Sequence, residues 1–310
     1  MTTLLITHDA CVAHETPLGH PERADRLRAL DQLFTSNVFD DLKREAASLA
    51  SVEDLARAHT PQYVDMIQNS APDDGEDVCL DPDTHMMSAS LEAALRAAGS
   101  GILAVDQIMN GDARNAFCAV RPPGHHAEKD KAMGFCLFNN IAIAAHYARE
   151  KHGLSRVAVV DFDVHHGNGT QDIFWDEPDM FYGSTHEGGI FPGGGRADET
   201  GVSGNIVNAP LAHGADGEAF KSAMTDVILP KLDAFAPEFL FISAGFDAHR
   251  DDPLAGLNFD ERDFAWGTLE LMDVAEKHCS GRVVSMLEGG YNLGALSRSA
   301  GVHVQVLMKG

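Results

Sequence analysis

The chain has 310 residues, an apolar fraction of 44%, and 47 acidic against 23 basic side chains, a formal net charge of -24. That length and apolar content suit a globular protein with a sizeable core. The charge speaks against binding DNA, RNA or anionic membrane; small cationic or basic-peptide partners and plain solubility are both compatible with it. Cys11, Cys79, Cys118, Cys136 and Cys279 are widely spaced, odd in number and lack a C-x-x-C pair. The expectation is a reducing, cytoplasmic setting with neither a disulfide framework nor a structural zinc knot. The opening MTTLLITHDA has no basic region and its apolar run stops at His8 and Asp9, so it is not read as a signal peptide.

In chain order, LLIT (4–7) reads as a strand, 22–34 as a helix, 71–77 as a loop and 86–110 as a helix. Then come strand AFCAV (116–120), helix 138–151, strand RVAVVDFD (156–163), strand FYGST (181–185) and a glycine-rich loop over 187–204. Helix 216–235, strand FLFISA (239–244), helix 261–278, strand RVVSML (282–287) and a helix from about 293 complete the chain. Apolar strands without polar alternation, each followed by a helix, indicate a parallel sheet covered on both faces. The expectation is one α/β domain over 1–310. Ligands of such sheets bind beyond the carboxyl ends of the strands. Four of those ends are unusual: Arg121-Pro-Pro-Gly-His125-His126, Asp161 to His166, Gly245-Phe246-Asp247, and Glu288-Gly-Gly-Tyr291.

Alternate residues of a strand share a face, so Asp161, Asp163 and His165 point together if the strand persists. Nearby carboxylates need a cation, a proton or an imidazolium beside them. With Asp247 from a neighbouring strand they make an oxygen and nitrogen site for a divalent metal, and three protein ligands describe a catalytic zinc site. The spacing alone equally admits a buried Asp–His ion-pair network. His125-His126, following Pro-Pro-Gly, reads either as a proton-transfer dyad or as two surface histidines. GGGRADETG lacks the G-K-[ST] of a phosphate loop, and no G-x-S-x-G elbow is present.

The segments RPPGHHAEKDKAMGFCLFNNIAIAA, VVDFDVHHGNGTQD, SAGFDAHRDDPL and LEGGYNL, in that order, resemble the histone deacetylase family. The likeness runs from THDACVAHETPLGHPERADRL to the end of the chain and is closest to the class II branch and its bacterial relatives, which include acetylpolyamine amidohydrolases. It implies the arginase/deacetylase fold with a central eight-stranded parallel sheet. It further implies that Asp163, His165 and Asp247 hold zinc, and that His126 serves as general base and acid. His125 would be its electrostatic partner, oriented by Asp161, with Asn168 against His126. A neutral amide there stabilises imidazolium less than the aspartate of some relatives. Tyr291 would donate to the scissile carbonyl, and Gly134, Phe135 and Phe191 would line a narrow acyl channel with Leu254 at its mouth. One or two structural potassium ions are implied, an inner one at Asp161, Asp163, His165, Ser184 and Thr185, and an outer one at carbonyls near Phe174, Glu177, Met180 and Asn205. By the same likeness Arg26 lines an acetate-release channel, a surface salt bridge being the alternative.

The expected partner is an acylated lysine peptide or a small acylated amine or polyamine; no nucleic acid or membrane is expected, and self-association is compatible with the sequence. Polyamine-selective relatives place a glutamate where this chain has Leu254, while Asp81, Asp83 or Glu187 are candidates for carboxylates at the rim. An arginase-type ureohydrolase needs a second metal, but Gly167 and His249 stand where its bridging carboxylates belong. A non-catalytic acyl-lysine binder would lack a ligand or Tyr291, and neither is missing.

Overall fold

Among the described residues ten strands organise the chain: β1 (Thr3–Thr7), β2 (Lys43–Ala46), β3 (Val78–Asp81), β4 (Thr84–Met86), β5 (Asn115–Cys118), β6 (Val157–Asp161), β7 (Met180–Glu187), β8 (Ile206–Leu211), β9 (Phe239–Ala244) and β10 (Val283–Leu287). The computed structural model describes residues 2–310. Eight strands form one parallel sheet in the order β2-β1-β5-β10-β9-β6-β7-β8, and β3 and β4 form a separate antiparallel hairpin. The fold is thus α/β with a central eight-stranded parallel sheet.

Central strands are apolar on both faces because both faces are covered. Helices Ser90–Met109 and Asn140–His152 pack on each other and on the sheet; Glu261–His278 and Leu293–Lys309 form another such pair. Every residue of β5, β6, β7, β9 and β10 is buried, as periodicity-free apolar runs require. Helix ends follow local chemistry. Asp260 caps Glu261–His278 in a capping box with Asp263, and Gly153 ends Asn140–His152 with a left-handed φ of 68°.

Four strands escape the sequence pattern: the hairpin strands β3 and β4, and β2 and β8 at the two edges of the main sheet. β2 reads KREA with alternating exposure, so charge rather than β-propensity marks it. β8 carries Pro210, whose missing N–H is tolerated on an edge strand. Expected strand 156–163 stops at Asp161, and the expected loop from 187 begins one residue later because Glu187 ends β7.

The order of the sheet decides where chemistry can occur. β5, β10, β9 and β6 are consecutive neighbours, so the four unusual strand endings converge over the middle of one sheet edge. Beside them lies a fully buried ionic cluster. Glu22 accepts from Arg26 Nη1 at 3.0 Å and from Arg121 Nη2 at 2.7 Å. Arg26 also donates through Nε to the Gly290 carbonyl at 2.7 Å and through Nη2 to the Glu288 carbonyl. The N-terminal segment is thereby bolted to the loop after β10, and Arg26 is no surface residue.

Burial alone would raise the Glu22 carboxyl, but Arg121 and then Arg26 overturn it and hold its pKa at about 2, below the ordinary 4.5. Glu22→Gln leaves two buried guanidiniums without their anion, at a cost of about 3–5 kcal/mol near neutral pH. A depressed folded-state pKa confers stability above the ordinary value and loses it in acid. Urea unfolding should therefore show the gap between parent and variant narrowing as pH falls from 4.5 toward 2.

Candidate active site

β6 delivers Asp161 and then stops being a strand. Asp161 Oδ1 accepts the Asp163 N–H at 3.0 Å, and Asp163 Oδ1 accepts the His165 N–H at 2.8 Å. Two successive side-chain turns, not a continued pleat, bring Asp163 and His165 into place. That corrects the reading of a persistent strand. From β9, Asp247 Oδ1 accepts the Val164 N–H at 3.0 Å, and from the end of β10 the Gly289 N–H binds Asp163 Oδ2 at 2.8 Å. A Cβ on Gly245 or Gly289 would collide with these carboxylates, so glycine is needed where the strand ends close on the ledge.

Asp163, His165 and Asp247 thereby form one three-donor group among the described residues, with their ligand atoms within 4.8 Å of one another. His165 Nδ1 lies 3.1 Å from Asp163 Oδ1 and 3.2 Å from Asp247 Oδ2. Burial pushes the Asp247 carboxyl up to about 7, with the Asp163 charge adding to it. Burial opposes charge on His165, but the two carboxylates outweigh it and hold the imidazole up to about 10. Burial would also raise Asp163, yet His125 and His165 drive it well below the usual carboxylate range. Two buried carboxylates and one imidazole nitrogen around a common point fit a divalent cation.

The Arg121 to His126 loop is pinned by Glu288, whose Oε2 accepts the N–H groups of Gly124 at 2.7 Å and His125 at 3.1 Å. His125 Nδ1 then lies 2.9 Å from Asp161 Oδ2, and His126 Nδ1 lies 2.8 Å from Asn168 Oδ1. The two rings sit 4.0 Å apart at their centroids, so they are a buried pair. Burial disfavours charge on both, but Asp161, Asp163 and Glu288 hold His125 up to about 10. His126 falls well below its ordinary value through burial and then the positive neighbours His125 and His165. Adjacent imidazoles are thus set to opposite protonation states, the separation that acid–base work requires.

Above this floor a cavity of about 230 Å³ is lined by Asp83, His126, Gly134, Phe135, His165, Phe191, Leu254 and Tyr291. Phe135 holds a left-handed φ of 69° after Gly134 at 56°, and its N–H bonds Thr84 Oγ1 of the hairpin at 3.0 Å. Its ring packs against Tyr291 at 5.8 Å, while Phe191 packs against His126 at 5.2 Å from another wall. Tyr291 is set by Asp252, which accepts its N–H at 2.7 Å. Burial lifts the phenol well above 10, with only Arg26 pulling it down, so it stays a proton donor. Leu254 is 40% exposed at the mouth.

The three rim candidates separate. Asp83 lines the mouth and Asp81 lies half-buried on β3. Glu187 is buried, with its carboxylate taken by the Gly256 N–H at 2.7 Å and by His213 Nδ1 at 2.7 Å. It is therefore no free rim charge. Near the Asp161 end of β6, Ser184 pairs in register and its Oγ lies 2.8 Å from His186 Nδ1, while Thr185 Oγ1 is buried without a partner. The carbonyls of Phe174, Glu177 and Met180 converge on Asn205 Nδ2, which donates to them at 2.9, 3.1 and 2.9 Å. With that amide among them, these carbonyls do not fit an outer potassium ion as they stand.

Sequence reasoning assigned no role to Glu288, Asp252 or Glu128, the carboxylates behind the catalytic candidates. Glu288 offered one signal, an acid closing an apolar strand; the other two lie in loops with no periodicity to place them.

The histone deacetylase domain family matches residues 20–307. A probable deacetylase of Archaeoglobus fulgidus is 36% identical over 99% of this chain and 89% of its own length. A histone deacetylase-like amidohydrolase of Pseudomonas aeruginosa is 40% identical over 88% of this chain and 73% of its own length. Among solved structures, the HDA15 HD domain superposes with a TM-score of 0.94 at 36% identity, covering 99% of this chain and 88% of that one. The fold and its relatives define a hydrolase of the deacetylase and amidohydrolase class. The chain belongs to the histone deacetylase family.

Gly134 sits so close to the imidazole that a Cβ there would strike His126 Cδ2, at a φ that itself disfavours side chains. Gly134→Ala should lower kcat about 100-fold, the scale of an ångström-sized misplacement. Circular dichroism should show the fold retained.

Proposed function

We propose that this chain is a zinc-dependent amide hydrolase that removes acetyl or related acyl groups from N-acyl-lysine side chains or similar acylated amines. The observation that carries the proposal is the placement of three converging donors at the floor of a channel with aromatic walls and a free imidazole and phenol. Asp163, His165 and Asp247 would hold the metal. Zinc bound there supplies Lewis acidity, polarising an acyl carbonyl and making water nucleophilic near neutral pH.

The chain's own residues do the rest. His126, kept neutral, takes a proton from the attacking water through Nε2 and returns it to the departing amine nitrogen. His125, kept protonated by Asp161, supplies positive charge beside the developing oxyanion, and Tyr291 donates its phenol hydrogen to that oxygen. Phe135 and Phe191 admit a slender apolar arm and exclude water from it. One monovalent cation is proposed at the inner position by Asp161, Ser184 and Thr185, where the orphaned Thr185 hydroxyl gives it a further oxygen. The five thiols are free, and four of them are buried, which suits a reducing compartment such as the cytoplasm. Among the described residues no helix is long and apolar enough to cross a membrane.

Asp83 at the mouth favours a second reading, an acetylpolyamine whose distal ammonium meets that carboxylate. Leu254, exposed on the same mouth, favours the acyl-lysine reading. Comparing kcat/KM for an acetyl-lysine peptide with N-acetylputrescine and N8-acetylspermidine decides between them. The expected result is a preference for the peptide of about tenfold or more; the reverse preference establishes the polyamine reading, and no turnover of any of the three refutes both. Tyr291→Phe should lower kcat by about 10²–10³ while zinc content stays unchanged, because one oxyanion donor is lost.

A further inference from the structure

The polar chain beside His126 does not stop at Asn168. The Asn168 carboxamide sets Oδ1 2.8 Å from His126 Nδ1 and donates through Nδ2 to Glu128 Oε1 at 2.7 Å. Glu128 is half-buried, and its backbone is held at both ends. Its N–H donates to the Lys131 carbonyl at 3.0 Å, and its own carbonyl lies 2.9 Å from His59 Nδ1.

A carboxamide and its flipped form have nearly the same shape, so the groups at its two ends decide its orientation. A carboxylate can only accept, and at 2.7 Å it requires the NH₂ end. The other acceptors near Nδ2 are weaker. Met133 Sδ lies 3.3 Å away and the His126 carbonyl 3.5 Å away, the first a poor acceptor and the second a long contact. If the amide flipped, its oxygen would face the carboxylate and its NH₂ would face His126 Nδ1. That nitrogen would then have to accept, and the neutral ring would carry its proton on Nε2. The lone pair that removes a proton from water would be gone.

We propose that Glu128 is a positioning residue for the hydrolytic reaction: its carboxylate orients Asn168 so that Oδ1 accepts from His126 Nδ1–H, which keeps the Nε2 lone pair on the channel side. The inference rests on His126 being the general base. Glu128 touches neither substrate nor metal donors and acts only through the amide.

The test is a variant series on the zinc-loaded full chain, reading kcat and KM on an acetyl-lysine peptide together with zinc content. Glu128→Ala should lower kcat by about 10- to 100-fold, the usual range for a residue one shell behind the reacting groups, with KM and zinc unchanged. Glu128→Gln still offers an oxygen to the Asn168 amide but can also turn its own NH₂ toward it, so it orients Asn168 less firmly, and kcat should fall between the parent and Glu128→Ala. Asn168→Asp alone should be impaired, because it sets a second carboxylate against Glu128. Combined with Glu128→Ala it should regain kcat above either single variant, since a carboxylate at 168 has no wrong end to present. Unchanged kcat in Glu128→Ala overturns the proposal, as do a Glu128→Gln variant that falls further than Glu128→Ala and a double variant that merely multiplies the two losses. His126→Ala separates the two layers. Turnover retained there removes the base assignment and this inference with it. Turnover lost there, with Glu128→Ala unimpaired, removes this inference alone.

Discussion

Two buried carboxylates side by side, Asp163 and Asp247, are the constraint around which the rest is arranged. Each is 1% exposed, and ions of like sign in so dry a place are tolerated only with positive charge and hydrogen bonds around them. The backbone answers first. Asp163 accepts N–H groups from His165 and Gly289, and Asp247 accepts one from Val164. Those donors come from the ends of β6 and β10, on either side of the β9 end that supplies Asp247, so the ledge can exist only where three neighbouring parallel strands finish together. Glycines at 245 and 289 follow from the same crowding.

The ledge also sets the electrostatics of what surrounds it. Burial disfavours charge on both imidazoles; negative charge from Asp161, Asp163 and Glu288 outweighs it at His125, and the positive charge of His125 adds to it at His126. Identical side chains one residue apart are therefore pushed toward different protonation states by their surroundings. Tyr291 joins them through two anchors, Asp252 on its backbone and the Arg26 guanidinium 5.0 Å from its ring centroid. Arg26 is in turn neutralised by Glu22. The buried ionic cluster beside the floor and the reactive groups in the channel are parts of one network.

The central strands and the polar endings that converge on the site were legible in the sequence, because a covered parallel sheet writes unbroken apolar runs and a site interrupts them. The helices over 261–278 and from 293 were legible for a similar reason, each opened by a capping side chain. β2 and β8 were not, since edge strands carry charge or proline in place of a pattern. The expected strand ran two residues too far, to Asp163: period-two spacing fits a pleat, while the hydrogen bonds accepted by Asp161 Oδ1 and Asp163 Oδ1 that bend the chain leave no periodic trace. Glu187 was placed among rim candidates because its charge was visible and its partners, Gly256 and His213, were not. Glu128, Asp252 and Glu288 act through other residues' amides and backbone, and such roles exist only once the chain has folded.

In the absence of a cation the ledge must hold its charge together with protons, and His165, raised to about 10, carries one at neutral pH. A metal taken up by these donors has to displace it. Calorimetric titration of the demetallated protein with zinc, run at pH 7.5 in buffers of different ionisation enthalpy, counts those protons directly. One high-affinity site per chain is expected, with release of about one proton or more on binding. Saturable zinc binding with no buffer dependence, or no site of that stoichiometry, would contradict it.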